Sequence, residues 1–121
     1  MCGLVTKRIY ESTTESDGKR ILVDRLWPRG ISKERASLDL WLKEIAPSDG
    51  LRLWFGHRSD RWSEFKVRYF QELTDKQDEV GQIETLSAAG TITLVYAAQD
   101  TLHNNAVALA EYLSQRRHRE C

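Results

Sequence analysis

This chain has few of the residues that staple or punctuate a fold. Among its 121 residues are two cysteines, at positions 2 and 121, two prolines and one methionine. Cysteines at the two ends offer neither a disulfide-framework spacing nor a metal-binding spacing. They predict a fold that needs no disulfide, which fits a reducing cytoplasm. Long apolar runs are missing as well. No stretch approaches the ~18 residues of a membrane span, and the opening MCGLVTKRIY is too short and too polar for a signal peptide. We therefore expect a cytoplasmic protein with no membrane partner. Net charge is absent too, because 18 basic residues balance 18 acidic ones. Coating of nucleic acid by overall charge is not favoured. The chain also lacks a glycine-rich phosphate loop of either common type, a serine in an elbow motif and a cysteine in mid-chain. Thiol-nucleophile and serine-hydrolase chemistry drop out with them. No metal is expected, since His57 and His103 with Asp24 or Asp100 lack ligand spacing.

What is present suits one soluble domain spanning residues 1–121. A hydrophobic content of 40% and a charged content of 30% fit a globular core with a solvated surface. Four tryptophans supply large apolar areas, each with an N–H that needs a partner. The charge is uneven. Arg20, Arg25, Arg29, Lys33 and Arg35 crowd the first third, and Arg116, Arg117, His118 and Arg119 close the chain. That tail reads as a solvated helix end, where cations are favoured.

Periodicity divides the chain into alternating elements. LVTKRIY reads as a first strand, and STTESDGK as a turn-rich loop ending in Asp17-Gly18. RILVDRL follows, its continuous apolar run predicting a strand buried on both faces. Ser32 can cap a short helix over Lys33 to Ala36. LDLWLKEI fits either a strand or a helix, and the neighbouring helix signals favour a strand. Ser48 caps DGLRLWF, which Gly56 stops. Asp60 is the expected cap of a longer helix with Trp62, Phe65, Tyr69 and Leu73 on one stripe. A further helix is expected over Asp78 to Ala89. TITLVYAA is the clearest strand, being β-branched and apolar. The last helix is expected from about Thr101 to Gln115, burying Leu102, Ala106, Leu109 and Leu113. Strands separated by helices predict a single compact α/β domain with a mainly parallel sheet and helices packed on it.

In parallel sheets, ligands sit beyond the carboxyl ends of the strands. Two strands here end in unusual polar sequence, VDRLWPRG and VYAAQDTLHNN. In the first, Arg25 and Arg29 suit bidentate grip on a phosphate or carboxylate. Pro28 fixes its own φ, and Gly30 permits a tight bend or close approach. The competing explanation is a structural brace from Asp24 to an arginine. Trp27 is either a plug in the turn or a stacking surface for a base or sugar. In the second, Asp100, Asn104 and Asn105 surround His103 at a helix start, whose free N–H groups could receive an anion. An N-cap role explains one of Asp100 and Thr101, but adjacent asparagines lower helix propensity. Tyr96 could point to the site or into the core. His103 and Asp24 are the acid–base candidates. His57, in WFGHRSDRW, is either a solvated loop residue or a lid.

The expected function is binding or turnover of a small anion, phosphate- or nucleotide-like, at these two segments. The alternative is a nucleic-acid-associated or regulatory protein without catalysis, using the Arg-rich turns and the basic tail. A third is a structural partner module with tryptophans in an interface. No motif names a cofactor or an oligomeric state.

At these same residues the chain resembles the YeaO-like family, small bacterial proteins built on a domain of unknown function. The matching pieces are DGKRILVDRLWPRGISKERASLDLWLKEIAPS, LRLWFGHRSDRWSEFKVRYFQEL and ITLVYAAQDTLHNNAVALAEYL. They run in order over nearly the whole chain. The resemblance implies a compact α/β fold and a polar site near Asp24-Arg25-Leu26-Trp27-Pro28-Arg29-Gly30, and it carries no established activity. In the family pattern a histidine often follows the asparagine of HN, where this chain has Asn105. Longer relatives carry a cysteine and a Cys-His-Arg segment roughly where Tyr96 and Asn104 stand, which further weakens thiol chemistry here.

Overall fold

The computed structural model describes residues 3–117. Four strands form the sheet: β1 Leu4–Arg8, β2 Lys19–Leu22, β3 Leu40–Trp41 and β4 Ile92–Tyr96. Five helices accompany them: α1 Lys33–Ala36, α2 Asp49–Phe55, α3 Trp62–Leu73, α4 Gln77–Ala89 and α5 Asn105–Arg117. The strand order is β1-β4-β2-β3, and every pairing is parallel. This is the α/β architecture that the alternation of strands and helices predicts. Both cysteines, His118 and Arg119 lie outside the described residues.

β4 is central because every one of its residues is buried. Side chains alternate along a strand, so each strand serves both faces. Ile21, Val23, Leu94 and Tyr96 join Phe65, Tyr69, Ile83 and Leu109 in the larger core. Leu22 and Val95 face the other way, into a smaller cluster with Ile9, Ile31 and Ala36. On that smaller side the layer is partly polar. Arg20, 2% exposed, donates to Asp17 Oδ2 at 2.7 Å and to the Ala36 carbonyl at 2.9 Å. Lys7 reaches Asp17 at 3.1 Å, so the acid faces two cations. The turn that Asp17-Gly18 predicts exists as a 3-10 turn over Glu15–Asp17, and it carries this buried brace.

Side-chain caps set the starts of α1 and α2. Ser32 Oγ accepts from Arg35 N and Ser48 Oγ from Leu51 N. Gly56 closes α2 in the left-handed region at φ 52°, which glycine tolerates best. Asp60 is not the cap of α3. A 3-10 turn over Ser59–Arg61 leads into that helix, and the Asp60 carboxylate pairs with Arg58 at 3.0 Å instead. Phe65, Tyr69 and Leu73 form the buried stripe, while Trp62 is half-buried at its start. LDLWLKEI splits into the two-residue β3 and a 3-10 turn over Lys43–Ile45, so part of each competing period is used.

The last helix starts four residues later than its sequence suggests. Asp100 Oδ1 accepts from Leu102 N and His103 N, which ties the preceding residues into a turn. Asn104 Oδ1 then accepts from Val107 N at 2.9 Å and acts as the cap. Leu102 is therefore 69% exposed rather than buried, whereas Ala106, Leu109 and Leu113 form the stripe. Among the described residues, no helix is long and apolar enough to cross a membrane.

Candidate functional site

β2 and β4 are neighbours and parallel, so their carboxyl ends emerge side by side. The chain after each end is polar. The last ladder bond there runs from Val23 N to the Val95 carbonyl at 3.1 Å. Beyond it a side chain replaces the backbone: Asp24 Oδ2 accepts from Ala97 N at 2.9 Å. This is why the strand predicted through Leu26 ends early. Asn105 closes the junction, its Nδ2 donating to Asp24 Oδ1 at 3.1 Å and to the Val23 carbonyl at 3.0 Å. Burial raises the Asp24 pKa above the ordinary carboxylate value, and the bonds from Asn105 and Ala97 oppose that shift.

The two segments then diverge around a cleft of about 980 Å³. Its cationic wall comes from Arg25, Arg29 and Arg52. Phe55, Phe65, Ala46 and Pro47 supply apolar surface. Gln99, Asp100, His103, Asn104 and Asn105 line it from the other segment. Its volume lies at the upper end of those typical for small-molecule pockets.

Each predicted site residue has a definite place. Arg25 lines the cleft with its Nε shut off from solvent and without a hydrogen-bond partner. Arg29 is exposed on the same wall, and no carboxylate among the described residues pairs with it. Its backbone carbonyl is fixed by the Tyr10 hydroxyl at 2.8 Å. Trp27 lines the cleft and also holds the bend. Its Nε1 donates to the Ile31 carbonyl at 2.9 Å, and its ring meets Trp41 edge-on at 5.5 Å. Gly30 lies outside the cleft lining. It serves the bend through its φ of 73°, and no atom stands within 4 Å of where a Cβ would sit.

Tyr96 also lies outside the lining, 3% exposed within the larger core. Burial raises its pKa, and the Glu11 charge adds to the shift. Asp100 is held low chiefly by the Leu102 N–H and next by His103. His103 places Nδ1 3.0 Å from Asp100 Oδ2 and its ring edge-on to Trp62 at 5.3 Å. Asn104 is 3% exposed, and both ends of its amide are engaged, by the Asp100 carbonyl and by Val107 N.

Sequence reasoning passed over Arg52, Phe55 and Phe65 as site residues, reading α2 and α3 only for their apolar stripes. It also passed over Arg8, which donates to the carbonyls of Ala98 at 2.8 Å and Ala97 at 3.2 Å. Arg8 comes from an edge strand, and only the strand order brings it to that wall. His57 does line the cleft, in a left-handed conformation at φ 59°. Among the described residues, no group of three or more His, Cys, Asp or Glu side chains is arranged to hold a metal.

A family model described as "Inactive DUF488-N3 subclade" matches residues 3–121. The chain belongs to the YeaO-like DUF488 family. Uncharacterized protein YeaO of Escherichia coli (strain K12) is 42% identical over 107 residues, covering 88% of this chain and 93% of its own length. Uncharacterized protein Rv3073c of Mycobacterium tuberculosis (strain ATCC 25618 / H37Rv) is 38% identical over 109 residues, covering 90% and 92%. No solved structure matches the chain. The match to the DUF488 family model takes in both polar segments and the helices that complete the cleft.

Proposed function

We propose that the cleft binds a small organic anion, phosphate- or nucleotide-like, and that the protein works by binding it. The observation that carries this reading is convergence. Asp24 to Arg29 and Gln99 to Asn105, some seventy residues apart, line one hollow. Three guanidiniums against nearby aromatic and aliphatic surface suit a ligand with an anionic head and an apolar or aromatic body. Arg25 and Arg29 would hold the head, with Trp27 as a wall. Asp24 would act by position, since both its oxygens already join the two segments. A cytoplasmic location belongs to the same reading, and cell fractionation tests it.

Arg29→Ala should weaken binding of phenyl phosphate about tenfold or more in calorimetry, the scale of one charge-assisted bond. Thermal stability should change little, because the side chain is exposed. No heat of binding to wild type would overturn the reading.

A second reading is turnover with His103 as general acid or base. The Asp100–His103 contact favours it, because a carboxylate on Nδ1 orients an imidazole and fixes its tautomer. The family description "Inactive" weighs toward binding alone. Loss of any measurable conversion in His103→Ala, with binding retained, would favour turnover.

A further inference from the structure

Arg25 and Arg52 reach the cleft from different elements, the bend after β2 and the helix α2. Asp49 stands between them. Its Oδ1 lies 3.9 Å from Arg25 Nε and 3.5 Å from Arg52 Nη2. The first separation is beyond hydrogen-bond range and the second is at its limit. Arg25 Nε is meanwhile closed off from water and has no other acceptor. A buried N–H of a charged group is costly to leave unmatched. Asp49 stands beside the cleft lining, and the two carboxylates within that lining are already committed. Asp24 is held by Ala97 N and Asn105, and Asp100 by Leu102 N and His103. Asp49 is 69% exposed, and its only ion pairs among the described residues are these two loose ones.

We infer that Asp49 is the resident counter-ion of the cleft, exchanged for the ligand's anionic group on binding, and that this exchange selects phosphate monoesters over carboxylates. The inference rests on the reading of the cleft as an anion site. A monocarboxylate arriving at Arg25 and Arg29 takes over the Arg25 contact from Asp49 and leaves Asp49 to Arg52, so it trades like for like. A phosphate monoester brings a charge of about −1.5 to −2 and three acceptor oxygens. Three oxygens can serve two guanidiniums at once. Asp49 thus sets a threshold that a weaker anion does not cross.

The test is calorimetric titration of the full chain with phenyl phosphate and with benzoate, which share a ring and differ in the head. Wild type should bind phenyl phosphate more tightly. Asp49→Asn should tighten phenyl phosphate by about two- to fivefold, the range expected on removing an exposed competing charge. The gain should shrink as salt is raised. Asp49→Glu, which keeps the charge, should stay near wild type. Circular dichroism melts of each variant establish that it is folded at the titration temperature.

Unchanged or weakened phenyl phosphate binding in Asp49→Asn, with wild type binding normally, overturns the exchange and makes Asp49 a positioning residue. Equal binding of benzoate and phenyl phosphate by wild type overturns the selectivity. Absence of phenyl phosphate binding by wild type overturns the anion site itself, and the exchange with it.

Discussion

Asp17 and Asp24 are pushed in opposite directions by their surroundings. Burial alone would raise Asp17, but Lys7, Thr14 and Arg20 outweigh it and bring its pKa down to about 2 from an ordinary 3.8. A depressed carboxylate stabilises the fold above its unfolded pKa, and that contribution is lost as pH falls through the folded one. Stability should therefore drop by about 2 kcal/mol between roughly pH 4 and pH 2. An acid denaturation series with Asp17→Asn as reference checks this. Asp17→Ala should cost about 3 kcal/mol in urea unfolding, because it leaves Arg20 buried without its counter-ion. Asp24 has the opposite sign. Its pKa is raised, so its contribution is greatest at low pH and is lost as pH rises through the folded value. Asp24→Asn should remove that part of the stability profile.

The sequence singled out Asp24 because it stands between a strand and an Arg-Trp-Pro bend. It offered no such signal for Asp17, whose Asp-Gly pairing has a sufficient local explanation as a turn. The partners of Asp17 come from β1 and β2, and those of Arg20 from the end of α1. Periodicity does not report such meetings.

At the level of elements, capping chemistry was legible where the cap is the residue just before an apolar period. Ser32 and Ser48 are of this kind. It misled where several candidates sit in a row. Asp60 lies one residue before the cap position of α3, and Asp100 folds the approach to α5 rather than its first turn. The paired asparagines were rightly marked as poor helix interior, since Asn104 is the cap and Asn105 the first helical residue. Asn104→Ala should lower stability by about 1 kcal/mol or more, and Asn104→Asp should not restore it, because a carboxylate oxygen would replace the N–H group that serves the Asp100 carbonyl. Thermal unfolding reads both. The structural work of Asn105 was invisible because its partners, Asp24 and the Val23 carbonyl, lie some eighty residues away.

For the whole molecule, sequence alternation was enough to predict an α/β class and a parallel sheet. It could not yield the order β1-β4-β2-β3, because the apolar runs do not say which strand pairs with which. The cleft follows from that order. Adjacency of β2 and β4 brings the two polar ends together, and adjacency of β1 and β4 delivers Arg8 to the wall. Arg8→Ala frees the Ala97 and Ala98 carbonyls from their brace. It should speed amide exchange at residues 97–100 and weaken phenyl phosphate binding about two- to threefold, as expected for a support one layer back.

The strand order also bears on how the protein is made. β1 and β2 never pair with each other; β1 pairs only with β4, and β2 pairs with β3 and with β4, which begins at Ile92. While the ribosome still holds that region, the emerging polypeptide has only the two-residue β2–β3 match to work with. Such late, distant partnering slows folding and leaves two strand margins bare in the meantime. A truncated chain ending at residue 90 should thus stay uncooperative on heating, and synthesis of the final quarter should trigger assembly of the entire sheet in one step.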